Sequence, residues 1–79
     1  MNARRRKELS KALELLNTAY SIIESVKEDE IEAFENLPEG LQQAEQGSKM
    51  EEIGFELEDM VGSLEEYTET LDSIISGDY

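Results

Sequence analysis

The chain has 79 residues, 20 of them acidic and 7 basic, for a formal charge of −13, and it contains neither cysteine nor histidine. Those absences exclude disulfides, thiol catalysis and thiolate metal sites, and they remove the commonest general base and metal ligand. A chain of this length buries only about 60% of its unfolded surface, so an unaided core is marginal and a partner is expected.

The N-terminal segment is the basic part. Arg4, Arg5, Arg6, Lys7 and Lys11 face only Glu8 there, whereas from Ala12 onward every base other than Lys27 and Lys49 is absent. A basic tip on an acidic body repels nucleic acid and anionic membranes, so no direct contact with either is expected. No stretch reaches the roughly 18 apolar residues of a membrane span, and no apolar signal region follows MNARRRKEL. The expectation is a cytoplasmic protein.

The spacing predicts a first helix over about 3–37. Leu9, Leu13, Leu16, Tyr20 and Ile23 recur by alternating fours and threes, and the same count continues through Lys27, Glu30 and Phe34. Lys27 and Glu30 therefore form polar layers, either as a helix-surface pair or as a device that penalises misaligned pairing. Ala12, Leu15, Ala19, Ile22 and Val26 make a second apolar series beside the first.

A connector is expected over 38–47, within FENLPEGLQQAEQGSKMEE. Pro38 disfavours helix at Leu37, and Gly40 and Gly47 permit turns. Leu37 and Leu41 are read as apolar plugs at the turn end, and LQQAEQ as a segment able to hold a helical turn.

A second helix is expected over about 48–76, opened by a capping box of Ser48 and Glu51. Met50, Ile53, Leu57, Met60, Leu64, Tyr67, Leu71 and Ile74 give an unbroken heptad seam. Folding the chain at the connector lays the two seams together, Phe34 against Met50, Tyr20 against Leu64, Leu16 against Tyr67 and Leu9 against Ile74. The fold class is thus all-α, a single antiparallel two-helix coiled-coil hairpin. Beside the second seam runs the uncharged lane Gly54, Val61, Thr68 and Ile75. With Ala12, Leu15, Ala19, Ile22 and Val26, the residues Val61 and Ile75 are read as an outer oligomer face through which hairpins dimerise into a four-helix bundle.

Glu51 with Glu52, Glu58 with Asp59, Glu65 with Glu66, and then Asp72 recur every seven residues, about 10 Å apart along the helix. They read either as a surface that imitates DNA for a basic, nucleic-acid-binding host protein or as a solvated outer face. Phe55 lies among these acids as an exposed anchor or a lone surface aromatic.

NLPEGLQ, followed by a short polar spacer and KMEEIGFELEDMVGSLEEYTETLDSII, resembles the small acidic helical-hairpin proteins of Gram-positive bacteria, their phages and mobile elements. The resemblance spans nearly the whole chain and implies a fold and a genomic setting, with no catalytic residue to carry over. The functional expectation is a non-enzymatic interaction module without cofactor or metal, an inhibitor acting on a basic partner; the alternative is a structural homodimer whose charge only keeps it soluble.

Overall fold

The computed structural model describes residues 1–77 as two long antiparallel helices joined by a short one: α1 (Ala3–Glu35), α2 (Glu39–Gln42) and α3 (Glu45–Ser76), with no strand among the described residues. Asn2 starts α1, its Oδ1 accepting the Arg5 N–H at 2.9 Å and satisfying one of the donors every helix start leaves free. The end of α1 is set three residues before Pro38. Asn36 and Leu37 still donate to Glu32 and Phe34, and the proline then turns the chain.

The connector is tied down more tightly than its polar composition suggests. Pro38 begins α2, and its carbonyl accepts the N–H groups of Leu41 and Gln42 at 2.8 and 3.0 Å. Gln42 then reaches back, Nε2 lying 3.2, 3.3 and 3.0 Å from the carbonyl oxygens of Phe34, Glu35 and Leu37. One side-chain amide thus serves the last carbonyls of α1, which no basic residue in its final turn is present to do. Leu37 is half-buried as expected of a plug, but Leu41 is exposed.

α3 begins before the expected Ser48. Ala44 is its N-cap, without a side-chain bond, and the Ser48 N–H already donates to the Ala44 carbonyl at 2.9 Å, so Ser48 and Glu51 form no capping box. The cause is Gly47. It is buried against the Leu41 and Gln42 carbonyls, at a distance no Cβ would permit, so the first turn of α3 slides beneath α2 instead of breaking there. At the other end Gly77 adopts φ 81°, and its N–H reaches the Ser73 and Ile74 carbonyls, a left-handed stop that glycine tolerates.

Along their length the helices pair as the seams predict, but α3 is rotated about its axis. Phe34 and Met50 line one groove, and Ile31 stands opposite Gly54, where an added Cβ would come within 3.2 Å of the Ile31 Cγ1. Leu57, Leu64 and Leu71 face α1 as expected; their companions are Gly54, Val61, Thr68 and Ile75 rather than Ile53, Met60 and Tyr67. Val61, at 7% exposed, is the most deeply buried apolar side chain among the described residues, while Tyr67 is 63% exposed. Small and β-branched residues let two backbones approach closely, and that lane therefore takes the inward position. The reading of Val61 as an outer residue is corrected accordingly, since Val61 is buried in the hairpin; Ile75 is half-buried, as is its neighbour Ile74.

The result is a rod, 58 × 18 × 14 Å, with a radius of gyration of 17.5 Å against about 12 Å for a compact domain of this length.

Candidate interaction surfaces

The rod has two unlike flanks. Ile31, Phe34 and Glu35 of α1 and Met50, Glu51 and Phe55 of α3 share a groove that marks the first. Around α3 the heptad carries this flank onward through Glu58, Glu65 and Asp72, while Glu52, Asp59 and Glu66 take the back of the helix; all seven acids are exposed. From α1, Tyr20 joins the same side. Its hydroxyl donates to Glu24 Oε2 at 3.1 Å, and this bond, with partial burial and the charges of Glu24 and Glu65, pushes the phenol pKa up. Carboxylates from both helices are therefore neighbours here.

These acids have no internal neutralisation. Among the described residues two ion pairs form, Lys11–Glu8 at 3.6 Å and Lys49–Glu45 at 3.5 Å, both exposed, and neither involves the seven acids. Nor do three acids converge as a metal-binding group there. The charge is spread, not focused. Phe55, 59% exposed, forms one lip of the groove; at about 170 Å³ the groove falls short of the 300 Å³ at which ligand sites begin and suits a single side chain.

The opposite flank is apolar. Leu15, Ile22 and Val26 of α1 stand there at 72, 59 and 48% exposure, beside half-buried Ala12 and Ala19; from α3 come Ile53, Met60 and Tyr67, released by its rotation. Two hollows on α3 lie along this side. One is formed by Gln46, Lys49, Met50 and Ile53 with Glu45, the other by Met60, Ser63, Leu64 and Tyr67 with Asp59. Each set of four follows the i, i+3, i+4, i+7 spacing of the hole that receives a knob in a coiled coil. They stand two heptads apart on an open surface.

Several predicted residues thus come together and others do not. Leu15, Ile22 and Val26 occupy one outer lane with Ala12 and Ala19, Val61 does not join them, and Ile53, Met60 and Tyr67 stand on that side instead. Lys27 and Glu30 lie half-buried in the α1 seam with no ion pair between them. Gln42 and Gly47 carried no signal beyond turn composition, because their roles depend on where α2 lands.

No helix among the described residues is long and apolar enough to cross a membrane. No family model, curated protein or solved structure matches the chain.

Proposed function

We propose that this chain is a non-enzymatic, cytoplasmic protein-interaction module that pairs through its apolar flank into a homodimeric four-helix bundle and offers its acidic flank to a basic protein. The observation that supports the reading is the segregation itself: apolar side chains on one side, unpaired carboxylates and Phe55 on the other. In the phage or mobile-element setting that the resemblance implies, the basic partner is a host nucleic-acid-binding protein, and the module acts as an inhibitor occupying its DNA groove. The rows of carboxylates and the lone Phe55 are suited to arginine-rich surfaces, which stack on aromatics and pair with carboxylates.

One observation favours a second reading, a structural bundle whose acids only solubilise it. Seven acids over about 33 Å of helix give far fewer charges per length than the duplex's one per 1.7 Å. Affinity capture separates the two. Glu58→Lys with Glu65→Lys and Asp72→Lys leaves the apolar flank untouched; the interaction reading expects basic proteins retained by the wild type to be lost on the triple variant. Equal retention by both would leave only the structural bundle.

A further inference from the structure

We infer that the second copy lies antiparallel to the first across the apolar flank, so that Arg4, Arg5, Arg6 and Lys7 of each protomer rest on the acidic loop end of the other. The inference rests on the pairing proposed above and assigns its geometry, together with a role for the basic tip.

The tip needs an explanation. Four bases occupy the first turns of α1, where the helix dipole disfavours cations, and α1 has no acid in its first turn. Among the described residues none of the four takes part in an ion pair; only Lys11 does, with Glu8. Among the described residues of the protomer these cations are placed against their own helix and have no ion-pair partner.

Two-fold symmetry leaves two ways to close the apolar flank on itself. With the axis along the rod, the two tips lie side by side and α1 faces the partner's α3. Like charges then crowd at one end. With the axis across the rod, α1 faces α1, α3 faces α3, and each tip reaches the far end of its partner. Ala19 is the middle residue of Ala3–Glu35, so position 4 falls opposite position 34 and position 11 opposite 27. That span carries Glu28, Asp29, Glu30 and Glu32 against Lys27 alone. Charge complementarity therefore selects the antiparallel arrangement.

The apolar side chains accept it. Ala19 lies on the apolar flank at the axis, where small side chains permit close approach, and Ala12 falls opposite Val26. In the hairpin register, which sets Tyr20 beside Glu65, the same axis crosses α3 close to Leu64, between Met60 and Tyr67 of this flank. The arrangement places the partner's α3 over the hollow formed by Met60, Ser63, Leu64 and Tyr67.

The chain contains no cysteine, so single cysteines report the geometry cleanly. A disulfide demands Cα atoms within roughly 4.4–6.8 Å. Under mild oxidation Ala19→Cys should link to itself, and an equimolar mixture of Ala12→Cys and Val26→Cys should form the mixed dimer, while Ala12→Cys and Val26→Cys alone link poorly. In parallel, replacing Arg4, Arg5 and Arg6 by Glu should weaken the dimer roughly tenfold at low salt and little at high salt. Self-linking of Ala12→Cys, or tighter association on reversing the tip, would overturn the antiparallel geometry while leaving the dimer standing. A dimer mass with no link at Ala19 in a variant of wild-type helicity would do the same. A monomer mass for the unmodified chain would instead remove the pairing itself.

Discussion

Three glycines of α3 respond differently to the same change because their surroundings differ. Gly62 is exposed with nothing within 4 Å of a Cβ, so it gives only the backbone entropy cost of a helical glycine; Gly62→Ala should raise stability by about 1 kcal/mol. Gly47→Ala should do the reverse. Its Cβ would meet the Leu41 and Gln42 backbone, which cannot move without shifting α2 off the end of α1. At Gly54 only the Ile31 side chain stands in the way, so Gly54→Ala should be nearly neutral, propensity gain offsetting a small displacement. Thermal melts of the three variants test the order Gly62, Gly54, Gly47. Tyr20 provides a pH test. Its phenol is raised by its bond to Glu24, so the folded state favours the neutral form: that contribution is complete below the unfolded phenol value of about 10 and is lost as pH climbs through the higher folded value. Phenolate absorbance should show a late-titrating tyrosine in the wild type that is missing from Tyr20→Phe; identical late phases in both would contradict the bond.

At the scale of the helices, the axial register was legible in the sequence and the rotation of α3 was not. Leu57, Leu64 and Leu71 belong to two possible seams, one completed by Ile53, Met60 and Tyr67, the other by Gly54, Val61, Thr68 and Ile75, and both keep heptad spacing. Hydrophobicity favours the first. Closeness favours the second, because a glycine and β-branched residues let α1 approach, and contact distance is a pairwise property that a single periodicity does not display. The acids were legible as an outer face for the opposite reason: charges need only water, whichever seam wins. Val61→Ala should therefore cost about 1–2 kcal/mol, more than Ile53→Ala. Leu16→Ala and Leu64→Ala should each cost about 2 kcal/mol, near the low end for core leucines since both are half-buried. Denaturant unfolding with Ile53→Ala costlier than Val61→Ala would show that the rejected seam faces inward.

The whole molecule exposes more surface than its mass requires. Its 5897 Å² of accessible surface compares with about 4,900 Å² for a compact monomer of 9.0 kDa, and the apolar flank lies within that excess. On the proposed pairing this rod is half of a bundle, with the apolar flank of α1 and α3 covered by a second copy; without the pairing it is a solitary hairpin with that flank open. Leu15→Glu with Ile22→Glu separates these descriptions at the level of the molecule. In a bundle it puts charges into an apolar contact and should yield monomers with much reduced helicity; on a solitary hairpin the same exposed positions accept Glu readily. The most direct measurement is sedimentation equilibrium of the unmodified chain over a range of concentrations near physiological salt, which screens the −13 charge of each copy. Pairing through the apolar flank predicts a mass converging on twice 9.0 kDa as concentration rises; a mass of one chain at every concentration would contradict it.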